Sequence, residues 1–80
     1  MAFEDPTYEI ECRAKLKERI NGHKLHPSTK SLIAMHPSIV LNYMDQYGDR
    51  IAINGINNAY KDYDTPSLHD MRLSIESLME

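Results

Sequence analysis

The sequence predicts an all-α protein, a compact bundle of four or five short helices, and three observations lead to this prediction. Proline suits the first helical position, because the N–H that it lacks would be unpaired there, and every proline of this chain precedes Ser or Thr. These prolines are Pro6, Pro27, Pro37 and Pro66. Apolar residues recur at helical spacing after each of them. With 80 residues and 41% hydrophobic content, the chain is expected to form one small domain over residues 1–80.

The first helix is predicted over residues 6–21, with Asp5 as its N-cap. Its apolar stripe consists of Tyr8, Cys12, Leu16 and Ile20. The segment also alternates between apolar and polar residues, which is the period of a β-strand, and Asn21-Gly22 can turn a hairpin. An α+β fold with an N-terminal β-hairpin over residues 7–26 is therefore the alternative.

Four further helices are predicted, each with an apolar stripe. They cover residues 28–35, 37–47, 49–63 and 66–79. Gly48 is expected to end the third helix, and Thr65 is expected to cap the last one. Within the fourth segment, Ile-Asn-Gly-Ile at residues 53–56 leaves a hairpin turn as an alternative. The stripes are expected to bury Leu32, Ile33 and Met35; Val40, Tyr43, Met44 and Tyr47; Ala52, Ile53, Ile56, Ala59, Tyr60 and Tyr63; and Leu68, Met71, Ile75, Leu78 and Met79.

Charge is distributed unevenly along this chain, whose formal net charge is −3. Residues 1–12 contain four acidic and no basic residues. Residues 13–30 contain six basic residues and one acidic residue, whereas residues 31–80 contain seven acidic and three basic residues. A basic block within an acidic chain is typical of a protein that binds an anionic partner or pairs head to tail with itself.

The composition also predicts where the protein works. The single cysteine, Cys12, cannot form an intramolecular disulfide, so we expect a reducing compartment. The acidic N-terminus lacks the apolar run of a signal peptide, and no apolar run is long enough to cross a membrane. We therefore predict a cytoplasmic protein with no membrane partner, or one in the host cytoplasm if it is viral. Small phage and bacterial accessory proteins commonly have this character.

A polar segment around Pro27 is a candidate anion-binding site. A helix that starts at Pro27 presents the N–H groups of Ser28 and Thr29 at the positive end of the helix dipole, where a nucleotide phosphate or a carboxylate could bind. The candidate residues are Lys24, His26, Ser28, Thr29 and Lys30. The alternative is a polar first turn that contacts only solvent.

A helix-turn-helix-like DNA-binding module is another alternative, because a glycine separates two predicted helices at residue 48. The second helix would present asparagines, which can read adenine in the major groove, together with two basic residues. These residues are Arg50, Asn54, Asn57, Asn58 and Lys61. Against this, residues 31–80 carry a net charge of −4, which repels the phosphate backbone. Protein is therefore favoured over nucleic acid as the partner.

Neither catalytic nor metal-binding patterns are present in the sequence. The four histidines lack the closely spaced pairs and cysteine partners of zinc sites. Cys12 falls on an apolar stripe and is expected to be buried. The sequence contains no phosphate-binding loop, nucleophile elbow or dinucleotide fingerprint. We therefore expect no enzymatic activity, no cofactor and no bound metal.

Binding is the function that these observations predict. Tyrosine and methionine are enriched at protein interfaces, and a helical domain of this size cannot bury all five tyrosines and five methionines. Tyr47, Tyr60 and Tyr63 are the candidate interface residues. The sequence thus predicts a non-enzymatic regulatory or assembly subunit that docks on a protein partner or on copies of itself.

Overall fold

The chain folds into five α-helices in the computed structural model, which describes residues 6–80. They are α1 (Pro6–Arg19), α2 (Pro27–Met35), α3 (Pro37–Tyr47), α4 (Asp49–Asp62) and α5 (Leu68–Ser77). The Cα radius of gyration is 12.0 Å, which agrees with about 12 Å for a compact chain of this length. No strand occurs among residues 6–80, so the all-α prediction is confirmed.

Both hairpin alternatives are wrong. The segment that alternates between apolar and polar residues forms the continuous helix α1, and α4 runs unbroken through residues 53–56. In α1, local helix preference outweighs the alternation, because the segment is rich in helix formers. It also has an acidic residue in its first turn and basic residues in its last turn, as the helix dipole favours. Gly22, with a positive φ of 87°, then turns the chain toward α2.

Of the four prolines that the sequence places at helix starts, three begin a helix. α1, α2 and α3 each begin at a proline. α5 does not, because its N-cap is Ser67 rather than Thr65. The Ser67 hydroxyl accepts from the Asp70 N–H at 3.1 Å, and the Asp70 carboxylate accepts from the Ser67 N–H at 3.0 Å. This capping box satisfies two backbone donors, so the helix starts two residues after Pro66. The predicted N-cap Asp5 lies outside the described residues.

The core lies where α4 meets its neighbours. α4 packs against α2, α3 and α5, while α1 packs against α2 and α3. Apolar side chains from α1, α3, α4 and α5 are fully buried there. The largest of them are Leu16, Val40, Met44, Ile53, Ile56 and Ile75. Every one of these residues lies on a predicted stripe, so the central part of each stripe is confirmed.

The predicted stripes extend too far at the helix ends. Six side chains that the periodicity assigned to the core are exposed instead, namely Tyr8, Met35, Tyr63, Leu68, Leu78 and Met79. Each lies in the first turn of a helix, at its last residue or just beyond it. Helix ends project past the neighbouring helices of a small bundle, so a regular apolar spacing does not guarantee burial there.

Gly55 brings α4 and α5 into contact through their backbones. This residue is buried, and a Cβ added to it would lie 2.5 Å from the Cα and 2.9 Å from the backbone nitrogen of Ile75. Backbone atoms cannot move aside as a flexible side chain can. The sequence offers Gly55 only as part of a hairpin-turn alternative, whereas the structure shows that α5 can dock this closely because residue 55 has no side chain.

We expect Gly55→Ala to lower the free energy of unfolding by about 1–3 kcal/mol, because the new methyl group overpacks the α4–α5 contact. Alanine also favours a helix interior over glycine by about 1 kcal/mol, which offsets part of this loss. Urea unfolding measures the net change in the free energy of unfolding. Asn54→Ala is the matched control, since Asn54 is exposed, and it is expected to leave stability unchanged or slightly higher. Equal stability of the two variants would contradict the close approach.

Candidate functional site

The predicted anion-binding residues surround the connection between α1 and α2, but two of their donors already have partners. The Ser28 N–H donates to Nδ1 of His26 at 3.1 Å. Thr29 is fully buried, and its hydroxyl donates to Oδ1 of Asn57 at 2.7 Å. Lys24 and Lys30 are exposed. The anion site stays a prediction, without the Ser28 N–H and the Thr29 hydroxyl as available donors.

The side-chain amide of Asn57 ties this connection to α4. Its Oδ1 accepts from the backbone N–H of His26 at 3.0 Å as well as from the Thr29 hydroxyl. Its Nδ2 donates to the carbonyl oxygen of Lys24 at 2.7 Å. Beside it, the His26 ring stacks on Tyr60, with ring centroids 5.8 Å apart and planes 16° from parallel. A buried amide that makes three hydrogen bonds holds the loop in one conformation.

This role removes Asn57 from the predicted DNA-binding face. Asn57 is 8% exposed, and both the oxygen and the nitrogen of its side-chain amide are hydrogen-bonded within the chain. Arg50, Asn54 and Lys61 are exposed on α4, and Asn58 is half-buried. The DNA-binding alternative therefore stays a prediction that rests on four residues, three of them exposed.

The three tyrosines predicted at an interface lie in different environments. Tyr47 is half-buried, and its hydroxyl donates to Glu76 at 3.0 Å, which links α3 to α5. Tyr60 is half-buried against His26, and burial raises the pKa of its hydroxyl. Tyr63 is 53% exposed. Of the three, Tyr63 alone presents most of its ring to a partner.

A charged cluster joins α1 to the α3–α4 connection. The Arg19 guanidinium donates from Nε to the two carboxylate oxygens of Asp49 at 3.1 and 3.3 Å, and from Nη1 to Asp45. These bonds raise the pKa of Arg19 and hold the pKa of Asp49 below its ordinary value. Asp45 and Asp49 lie on either side of Gly48, so the guanidinium spans the point where the chain bends.

An acidic groove lies between the end of α4 and one face of α5. The residues that line this acidic groove are Asp62, Tyr63, Asp70, Leu73, Ser74 and Ser77. Leu73 is 50% exposed, so the groove offers two large apolar side chains to solvent beside two carboxylates. Among the described residues, none that line it is basic. The chemistry of the groove therefore suits an occupant that is both apolar and positively charged.

Sequence reasoning missed most of this groove, although one signal was available. Leu73 falls off the apolar stripe of its helix, which runs through Met71 and Ile75 and faces the core. An apolar residue off the stripe of an amphipathic helix is expected to face solvent. The sequence gives no indication that Leu73 lies beside Asp62 and Tyr63, because that proximity depends on how α4 and α5 pack.

Other surfaces offer less to a partner. A second groove between α1 and α3 is lined by Tyr8, Ser38, Ile39, Leu41, Asn42 and Asp45. Of the lining residues that the structure describes, Tyr8 is the one exposed large apolar side chain, because Leu41 is buried and Ile39 is half-buried. Within residues 6–80, no three His, Cys, Asp or Glu side chains gather as metal ligands. None of the described helices is long and apolar enough to span a membrane.

Comparison with known proteins adds no further assignment. No protein-family model matches this sequence, and no curated protein or solved structure is significantly similar to it. Function must therefore be inferred from the residues and surfaces of the chain itself.

We expect Asn57→Ala to destabilise the protein by about 2–3 kcal/mol, because it leaves the His26 N–H, the Thr29 hydroxyl and the Lys24 carbonyl without their hydrogen-bond partner. Chemical unfolding measures the loss, and faster hydrogen exchange at the His26 amide would locate it. Asn58→Ala removes the same amide one residue away, where it is half-buried, and is expected to change stability by less than about 0.5 kcal/mol. Equal losses in the two variants would refute the role assigned to Asn57.

The Arg19 cluster predicts a stability that falls in acid. Because the folded state lowers the pKa of Asp49, the contribution of this carboxylate is complete above its unfolded pKa and is lost as the pH falls through its folded pKa. The Arg19 and Asp49 side chains remain 31% and 35% exposed, so solvent screening limits the effect to about 1 kcal/mol. Unfolding curves from pH 6 down to about pH 2 are expected to show a smaller loss in Arg19→Gln than in wild type. Parallel pH profiles would contradict this assignment.

Proposed function

We propose that this chain is a non-enzymatic interaction protein, a regulatory or assembly subunit that docks on a protein partner through the acidic groove. The observation that carries the proposal is the exposure of Tyr63 and Leu73 beside the carboxylates of Asp62 and Asp70. Exposed apolar side chains within a polar rim are typical of protein-binding surfaces. The partner surface would be a protein segment with apolar and basic side chains.

Two kinds of interaction would contribute at this groove. Covering Tyr63 and Leu73 removes apolar surface from water, which favours association. Tyrosine is also among the residues that most often dominate binding energy. The carboxylates would select a positively charged partner and accelerate its encounter. The negative charge of the groove also disfavours nucleic acid as an occupant.

The groove is built where α5 is tied to its neighbours. α5 lies against α4 at Gly55, and the Tyr43 and Tyr47 hydroxyls donate to the Leu68 carbonyl and to Glu76. A surface that is already formed loses little conformational entropy on binding. The groove can therefore receive a partner without reorganising the bundle.

A cytoplasmic setting is part of this proposal. Cys12 is a free thiol and is buried in the core. A buried thiol behaves as a small apolar side chain, and a reducing compartment keeps it in that form.

Synthetic peptides test the proposal. An amphipathic helical peptide of Leu and Lys is expected to bind and to shift the backbone NMR signals of residues 62–77, whereas the same peptide with Glu in place of Lys is not. Asp62→Lys is expected to weaken binding by about fivefold or more, since it reverses a charge at the rim. It is not expected to unfold the protein, because a cation is favourable at the C-terminal end of α4.

Glu18→Lys is the matched control for charge. Glu18 is exposed on α1, which packs against α2 and α3 rather than α5, so this variant should bind the Leu–Lys peptide within about twofold of wild type, since only long-range charge changes. Leu73→Ser tests the apolar contribution and is expected to weaken binding at unchanged helicity. Signal changes outside residues 62–77, or equal affinity for both peptides, would overturn the proposal.

A further inference from the structure

A second exposed face has the opposite charge from the acidic groove. It is formed where the middle of α1 lies beside the C-terminal part of α2. Its residues are Ile10, Arg13, Lys17, Lys30 and Met35, all of them exposed. We call it the basic face. Ile10 is 60% exposed and Met35 is 69% exposed, so this surface also combines large apolar side chains with charge. Here the charge is positive.

One hydrogen bond fixes how the two helices meet in the basic face. Nη2 of Arg13 donates to the carbonyl oxygen of Ala34 at 2.7 Å, which places the middle of α1 beside the end of α2. Ile10 and Lys17 lie three residues before and four residues after Arg13, so both share its side of α1. Lys30 lies four residues before Ala34, and Met35 follows it. Apolar and basic side chains from two helices are thereby brought onto one surface.

The basic face and the acidic groove cannot meet within one molecule. α1 packs against α2 and α3, whereas α5, which carries much of the groove, packs against α4. Both surfaces are exposed in the monomer. The basic face carries three positive charges, those of Arg13, Lys17 and Lys30, and the acidic groove carries the carboxylates of Asp62 and Asp70. An apolar and positively charged surface, which is what suits the acidic groove, is therefore present on the same chain.

We infer that the protein associates head to tail with itself, with the basic face of one copy docked in the acidic groove of the next. This inference rests on the proposed function, because it takes the acidic groove as a docking site and names a second copy as its occupant. Lys17 and Lys30 pair with the carboxylates of the groove, and Ile10 and Met35 cover Tyr63 and Leu73. Such an interface joins two different surfaces, so it produces open chains or closed rings rather than a symmetric dimer.

Charge reversal at either surface tests the inference. In sedimentation equilibrium, the average mass of the wild-type protein is expected to rise with concentration, and to rise less at about 500 mM NaCl than at about 50 mM because salt screens the attraction. Lys17→Glu with Lys30→Glu is expected to raise the dissociation constant by about tenfold or more, and so is Asp62→Lys with Asp64→Lys. Asp64 is exposed and follows Tyr63 in the chain.

Lys15→Glu with Lys24→Glu is the matched control. It makes the same change in net charge at two exposed lysines outside the basic face, and it is expected to leave the dissociation constant within about twofold of wild type, since only long-range charge changes. An equal loss of association in this control would overturn the inference, because net charge alone would then govern self-association.

Mixing the two charge-reversed proteins gives the sharpest test. The variant with a reversed groove keeps a native basic face, and the variant with a reversed basic face keeps a native groove. Each is expected to be monomeric alone. The mixture is expected to form a mixed complex, because the two native surfaces complement each other and the two reversed surfaces are again opposite in charge. Absence of this complex overturns head-to-tail association.

The outcomes also separate this inference from the proposed function. If the wild-type mass stays that of one chain up to about 1 mM, the weak end of specific affinity, while the Leu–Lys peptide still binds the groove, then self-recognition is wrong and docking on another protein stands. If neither the peptide nor a second copy binds, both are overturned.

Discussion

The fold depends on a single buried amide, that of Asn57. α4 turns a mostly apolar face toward the core, and Asn57 is the polar residue within it. Its side chain bonds to the backbone of Lys24 and His26 and to the Thr29 hydroxyl, which fixes where α2 begins relative to α4. Because α2 in turn holds the middle of α1 through the bond between Arg13 and Ala34, the position of the basic face follows from that amide. A hydrophobic residue at position 57 could fill the same space, but it could not select this arrangement of the loop.

A contact between backbones plays the corresponding part on the other side of α4. At Gly55 the two helices approach so closely that a methyl group would collide with Ile75. This distance sets the spacing of α4 and α5, and with it the width of the acidic groove at Tyr63 and Leu73. The basic face and the acidic groove therefore both depend on α4, through Asn57 and Gly55, which are buried.

The sequence predicts the helices well because their signals are local. Proline at the first position and apolar spacing of 3.6 residues act within a few residues of each other, and the central core positions follow from them. The misassigned features depend on the tertiary structure.

Asn57 looks like a surface residue in the sequence because its partners His26 and Lys24 lie 31 and 33 residues away in the chain. The sequence favours Thr65 over Ser67 as the N-cap of α5 because Thr65 precedes Pro66. In the structure, Asp70 completes a capping box with Ser67 instead. The acidic groove required the packing of α4 on α5, which no periodicity reports. Leu73 and Ile10, both off their stripes, showed only that some apolar surface would stay exposed.

The attachment of α5 has a consequence for the cooperativity of the molecule. This helix meets the rest of the bundle chiefly along α4, with two tyrosine hydroxyls as further ties. Sub-global opening, in which one element detaches while the others stay folded, occurs along such boundaries. The groove exists only while α5 is docked, so occupancy and docking are thermodynamically linked. An occupant of the groove would therefore protect α5 from transient release, and the lifetime of the complex would be tied to the time for which α5 stays docked.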